Sequence, residues 1–516
     1  MVKKVDVRNS KQTPLMNLKI LIITIFNLCS SFSNAQNNWL TKKQVVEDVE
    51  FLRKILNEKS SYAYLNGYDF NADFQNYLKT IKDSTRLENF GLFVTNTLAK
   101  IGDRHSSLST IRGYHLNEDF FLPFIYAPIN NKVLVLNYNQ NKELEILNSK
   151  FPYVKKIDGM DMNNFLQKIR PEDIKAPKET YFTLAVRDIR DIQKNYILLE
   201  KSLPKKIKLT LSNPTFKKDT VMAVSIVDKS KRLRPWDEKF EVDYLFIKDE
   251  DYNKPEIIEK LFRIKDNIAY IKIPEMVNKD EAPLLFDKVN SFMKSIQNDS
   301  EGLIIDVRAN SGGTRDLLYE FAKYLVHPDS VYVVNITKQR GPIPLPEDYI
   351  KTLHNRFLYS FSELDKREQK VVTEFLKTFN PIYELDNKKY SKYYFGLLNG
   401  QKLAKKSFYY NKPVYILANE KTFSAASVFV SVFKGIKNIK IVGNTTDGSS
   451  GNSEWFDLPN SKLSGKISTM VSFQNNGKTL DGYGTEPDIR IERDINQILW
   501  HTDTQLEKLQ DIILYK

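Results

Sequence analysis

Cysteine is all but missing from the chain: Cys29 is the only one in 516 residues. It sits in "MNLKILIITIFNLCSSFSNAQ" (Met16–Gln36), where a basic residue, an apolar run over Ile20–Leu28 and a small-residue ending form the pattern of a secretory signal cut between Ala35 and Gln36. That run is too short to span a bilayer, so no stable membrane span is expected after cleavage. The leader takes Cys29 with it. The exported chain, periplasmic or extracellular, then has no thiol, which excludes disulfides, thiolate catalysis and cysteine metal sites. Histidine is nearly as scarce, with His105, His115, His327, His354 and His501 making five. None of them stands at His-x-x-x-His spacing, so no metal and no cofactor are expected. "NNGKT" (Asn475–Thr479) has Ser472 where a phosphate loop requires its first glycine. Net charge is +13, and +9 once the leader's five basic residues and one acidic residue are gone. The basic residues are dispersed, with no block interleaved with aromatics, and nucleic acid is not an expected partner.

What remains is an ordinary globular composition, 41% hydrophobic and 27% charged, long enough for several domains. Beyond the signal segment, 1–35, residues 36–110 read as a helical domain. "LTKKQVVEDVEFLRKILNEKS" has helical apolar spacing, and Thr41 is placed to cap it. Residues 111–260 hold short alternating stretches such as "KVLVLNYN" and "KIKLTLSN", broken by a helical stretch near Ala176–Glu200, and read as a β-rich middle domain. Residues 261–500 alternate strand and helix, with "GLIIDV" (Gly302–Val307) continuously apolar as in a strand buried on both faces. That alternation predicts a mostly parallel α/β sheet, interrupted by a polar insertion at about 340–410. Residues 501–516 form a tail helix.

Four weak signals carry chemistry. In "RANSGGTRD" (Arg308–Asp316) a buried strand ends in two glycines before a helix, a turn that exposes N–H groups where negative charge is favoured. In "KTFSAASVFVS" (Lys421–Ser431), Ser424 stands where a strand hands over to a helix. It can cap that helix or act as a nucleophile. No Gly-x-Ser-x-Gly surrounds it, which argues against an α/β-hydrolase. A serine nucleophile needs a base, and His105 in "GDRHSS" lies among small polar residues at the end of an apolar helix. Glu486 in "GTEPDI" is a carboxylate held between a glycine turn and a proline, as an orienting acid should be.

Taken together and in order, "GDRHSS", "GLIIDVRANSGG", "VYILANEKTFSAASVF", "IVGNTTDGSSG" and "GTEPDI" resemble the tail-specific, or C-terminal processing, serine proteases and their tricorn-type relatives. The resemblance implies a crotonase-like (ClpP/crotonase) βα core, with the middle domain PDZ-like through "FPYVKKIDGMDMNNFL" (Phe151–Leu166). It implies Ser424 as nucleophile, and an oxyanion hole from the backbone N–H of Ala425 and of Gly312 or Gly313. One branch uses a lysine base in the loop after the next strand. Here that loop has Ser449 and no lysine, which shifts the base to His105, with Glu486 as its partner and Asp103 and Ser106 as nearby alternatives. The chain departs from relatives at Arg104, where a serine is usual, and at Ser427, where a glutamate is common. The expected activity is a serine-type endopeptidase acting on peptides or unfolded protein tails; the rival is an impaired protein that binds peptides or hydrophobic ligands on the same scaffold.

Overall fold

The computed structural model describes residues 39–109, 119–170, 176–240 and 252–515. The proposed signal segment and His115 lie outside the described residues.

The chain opens with three helices, α1 (Lys42–Lys59), α2 (Phe70–Thr80) and α3 (Leu87–Ile101). Thr41 and Gln44 exchange side-chain and backbone hydrogen bonds at the start of α1, a capping box that satisfies two otherwise orphaned N–H groups. Val45, Val49, Leu52, Phe74, Phe90, Val94 and Leu98 are buried in one core, but it does not belong to the helices alone. It continues through Phe395, Leu397, Val471 and Phe473 from the far end of the chain. The helices are therefore packed on the late strands, and α3 ends there. Gly102, at φ +92°, reverses the chain after α3 and releases it into Asp103–Ser106 and the short strand β1 (Ser107–Ser109).

The middle stretch builds an antiparallel sheet from β2 (Ile125–Ile129), β3 (Lys132–Tyr138), β4 (Tyr153–Ile157), β5 (Lys206–Ser212) and β6 (Asp219–Ser225), in the spatial order β6-β5-β4-β3-β2. α4 (Met162–Ile169) follows β4 after a turn at Asp158–Gly159, as "FPYVKKIDGMDMNNFL" suggests. The expected single helix near 176–200 is two, α5 (Lys178–Asp188) and α6 (Ile192–Leu198), broken where Asn195 turns its amide onto the carbonyls of Asp188 and Ile189.

The last half contains a six-stranded sheet. β7 (Phe262–Lys265) pairs antiparallel with β8 (Ile268–Lys272), and β9 (Gly302–Asp306), β12 (Val414–Ala418), β13 (Ile439–Gly443) and β17 (Ile489–Arg490) continue it in parallel. Helices α7 (Pro283–Ser295), α8 (Asp316–Leu325) and α9 (Ala425–Phe433) bury one face. α10 (Thr504–Leu514) lays Leu506 and Leu509 on Ile304, Tyr415 and Leu417 of the other. Both faces are covered, which is why "GLIID" and "VYILA" read as unbroken apolar runs.

A second sheet corrects the view of 340–410 as a polar insertion. β11 (Tyr394–Asn399) lies inside that stretch, buried throughout, and pairs with β10 (Val331–Gln339), which pairs in turn with β16 (Met470–Phe473). The apolar run "YYFGLLN" was hidden by its lysine-rich surroundings. A third sheet joins β14 (Ser453–Asp457) and β15 (Ser464–Ser468) to β1. Among the described residues no helix is long and apolar enough to cross a membrane.

Below the C-terminal end of β9 lies a fully buried charge network. Arg308 donates to both Asp306 oxygens and to both Asp503 oxygens at 2.6–3.1 Å, and Lys272 donates to Asp306 and to the Arg308 carbonyl. It ties the start of α10 to the strand that leads into the Gly312–Gly313 turn. Truncating Arg308 to alanine leaves two buried carboxylates under-compensated, and the expected loss is about 3–5 kcal/mol of unfolding free energy, measured by denaturant titration.

Candidate active site

Ser424 closes a tight turn between β12 and α9. Its backbone sits at φ +53°, ψ −125°, a region that costs a non-glycine residue about 1–3 kcal/mol. The neighbours hold it there. Thr422 Oγ1 donates to the Val307 carbonyl at 3.0 Å, the Phe423 N–H donates to the Asn310 carbonyl at 2.9 Å, and the Asp447 N–H donates to the Thr422 carbonyl at 3.0 Å. The capping alternative fails: the Ser424 side chain makes no cap hydrogen bond to α9.

Instead, Ser424 Oγ lies 3.2 Å from Nε2 of His105, a residue 319 positions earlier. The imidazole stacks on Phe423 with ring centroids 5.0 Å apart. Arg104 lies over the same Phe423 ring and makes a 2.6 Å ion pair with Asp447. The arginine that departs from the family pattern thus pins the His105 loop to the loop after β13. Ser427 has a comparable role. Its hydroxyl donates to the Thr422 carbonyl and accepts from the Gly448 N–H, both at 3.1 Å, joining the first turn of α9 to that same loop.

His105 is buried. Burial first, and then the positive charges of Lys466, Arg104 and Arg356, push its pKa down to about 3. The ring is therefore neutral at physiological pH and able to accept a proton. When Nε2 accepts from Ser424, Nδ1 carries the ring proton, and Nδ1 has no hydrogen-bond partner among the described residues.

Glu486 does not supply that partner. Its side chain is exposed, and its carbonyl accepts from Lys434 Nζ at 3.0 Å. The buried carboxylates of the site are Asp103 and Asp481. Asp103 accepts from the N–H groups of His105 (3.0 Å) and Ser106 (2.8 Å) and from Ser106 Oγ (2.6 Å). Burial pushes it up to about 6. Asp481 accepts from Tyr62 and Ser450 at 3.1 and 3.0 Å, and burial, reinforced by the charge of Asp103, pushes it up to about 7. Its Oδ1 is buried and unpartnered among the described residues. Sequence reasoning passed over Asp481, although it stands five residues before Glu486 in the same glycine-rich stretch.

The expected amides are also sorted by their contacts. Gly312 fits directly against the serine: a methyl group built on its Cα would lie 2.6 Å from Ser424 Cβ and 2.9 Å from the Ala425 nitrogen. Its own N–H, however, donates to Asn310 Oδ1 at 2.8 Å. Gly313, at φ +135°, is exposed, and neither its N–H nor that of Ala425 donates to any described group. Of the two glycines left open by the sequence, Gly313 is the one whose N–H is not taken up by Asn310. Asp481 and its partner Tyr62 also line a cavity of about 700 Å³, together with Tyr181, Phe182, Tyr383 and Tyr483.

Residues 267–491 match the model of peptidase family S41. Over that span the chain is similar to the S41 peptidases, in line with the resemblance its motifs carry. No curated protein matches the sequence. Among solved structures, mature CPAF complexed with lactacystin superposes with a TM-score of 0.59 at 16% identity, covering 92% of this chain and 99% of that one. Mature CPAF on its own gives 0.59 at 15% identity, covering 92% and 96%. A putative peptidase from Parabacteroides merdae ATCC 43184 gives 0.44 at 14%, covering 91% and 96%. At such identities the CPAF likeness is one of fold, and it runs across nearly the whole chain rather than the S41 segment alone.

Two predictions arise from this geometry. Gly312→Ala should displace Ser424 and lower kcat/KM by roughly 100-fold or more, a loss of the size expected from an ångström-scale misplacement. Arg104→Gln removes a cation that disfavours the imidazolium, so the His105 pKa rises and the acid limb of the kcat/KM profile moves to higher pH. An unmoved limb would show that Arg104 acts only as a tether.

Proposed function

We propose that this protein is an exported serine endopeptidase working by Ser–His catalysis on peptides or unfolded protein tails. The observation that carries the reading is the 3.2 Å approach of Ser424 Oγ to a neutral, buried His105 Nε2. Ser424 attacks the peptide carbonyl while His105 takes its proton and later returns it to the leaving amine. The oxyanion that forms is received by the N–H groups of Gly313 and Ala425. The imidazolium is compensated by the buried carboxylates Asp103 and Asp481, in the place first given to Glu486.

The parallel sheet with its covering helices serves as the crotonase-like core, and the antiparallel middle sheet with α4 as a PDZ-like module; α5 brings Tyr181 and Phe182 from that module to the aromatic cavity. An extended apolar segment of substrate fits such walls. The signal-like segment ending at Ala35 supports export to the periplasm or outside the cell.

A fluorophosphonate probe on the mature chain tests the chemistry. Wild type should be labelled, and Ser424→Ala and His105→Ala should both lose labelling. Equal labelling in all three proteins, or none in any, would instead favour a ligand-binding protein on a protease scaffold. N-terminal sequencing of the exported protein should begin at Gln36.

A further inference from the structure

Asn419 follows β12 directly and is fully buried, so the polar atoms of its side chain must find partners inside the protein. Its Oδ1 accepts two backbone N–H groups, from Ala309 at 2.9 Å and from Lys421 at 3.1 Å. The first belongs to the turn that holds Gly312 and Gly313, the second to the turn that ends at Ser424. One carboxamide oxygen therefore joins the turn that presents the nucleophile to the turn that presents the glycine amides. Both turns need holding, since Ala309 at φ +56° and Ser424 at φ +53° are non-glycine residues at positive φ.

An asparagine amide has one accepting end and one donating end. With Oδ1 committed to two N–H groups, Nδ2 must face an acceptor; a flipped amide would set donor against donor. The acceptor is Glu238, whose Oε2 takes the hydrogen bond from Asn419 Nδ2. Glu238 is 1% exposed and comes from 181 positions earlier in the chain. Its Oε1 accepts from Gln497 Nε2 at 3.3 Å and lies 3.5 Å from Arg493 Nη1. The stretch that delivers it, residues 236–240, is fastened on both sides of the glutamate. Trp236 packs among Ile125, Ala127 and Leu136 of the middle sheet and donates to the Ile498 carbonyl at 3.0 Å. Trp500 Nε1 donates to the Asp237 carbonyl at 2.9 Å, and the Arg308 guanidinium lies 4.2 Å from the centre of the Phe240 ring.

We infer that Glu238 is a positioning residue for the Ser424 site and acts through Asn419. It fixes the polarity of that amide, and the amide holds the glycine turn and the serine turn in one arrangement. The inference rests on the serine-peptidase reading and adds to it a residue that reaches the site from the end of the middle region.

Fluorophosphonate labelling separates arrangement from folding. The amplitude counts competent molecules, and the rate per labelled site reports how well each one is arranged. Glu238→Gln puts an amide donor against either Arg493 or Asn419, and Asn419→Asp sets two buried carboxylates against each other. Each single variant should lower the labelling rate per site and kcat together, roughly 10- to 100-fold, with KM little changed. The combined variant, Glu238→Gln with Asn419→Asp, reverses the bond: the new amide donates to the new carboxylate, while the total charge and the acceptor for the Ala309 and Lys421 N–H groups are kept. It should recover most of the lost rate per site. A purely structural role would lower the amplitude or the unfolding midpoint and leave the rate per site at the wild-type value. That result, or a combined variant no faster per site than the single ones, overturns the inference while leaving the peptidase reading intact. A wild type that is neither labelled nor active on any peptide overturns the parent reading and this one with it.

Discussion

The structure turns on a contact between residues that the chain keeps 319 positions apart, an imidazole at the end of the N-terminal helices and a hydroxyl at the head of a late one. Local sequence cannot make that contact. It is made because α1 to α3 have no core of their own and share one with β10, β11 and β16. The Ser106 hydroxyl then fixes the register, accepting from the Ser468 N–H at 2.9 Å while donating to Asp103. Phe423 completes the arrangement, giving the histidine a face to stack on immediately before the serine. Removing the helical region would therefore do more than delete a base: it would uncover the late strands that carry the other half of the site.

Electrostatics sets the state of the pair. An unpaired imidazole among cations stays neutral, which suits a base in the resting enzyme. The same surroundings oppose the imidazolium formed during attack, so a counter-charge is needed as the reaction proceeds. Asp103 and Asp481 are close enough to influence one another, and burial holds both well above the ordinary carboxylate range. Either of them in its ionised form would offset the charge of the imidazolium.

Much of this was legible in the sequence. The apolar strands of the parallel sheet, the capped first helix, the glycine turn and the serine at a strand-to-helix junction all follow from local pattern, because each is decided by neighbours within a few residues. The partners of the histidine were not. Glu486 looked well placed because a glycine turn and a proline hold its backbone, yet backbone rigidity says nothing of where the side chain points, and it points to water. Asp481 has no special local pattern; its importance comes from burial against Tyr62 and Ser450, far away in the chain. Gly312 and Gly313 could not be told apart because the difference lies in a hydrogen bond from one of them to Asn310. Arg104 and Ser427 read as defects against a family pattern, and in three dimensions each is a tether between loops of the site.

The most direct measurement is a double-mutant cycle on peptide cleavage with Ser424→Ala, His105→Ala and the combined variant. If the two residues act as one unit, either single change removes nearly all of the rate and the double variant is no slower than the worse single one. Losses that multiply, or a His105→Ala enzyme that retains most of the wild-type rate, would contradict the account.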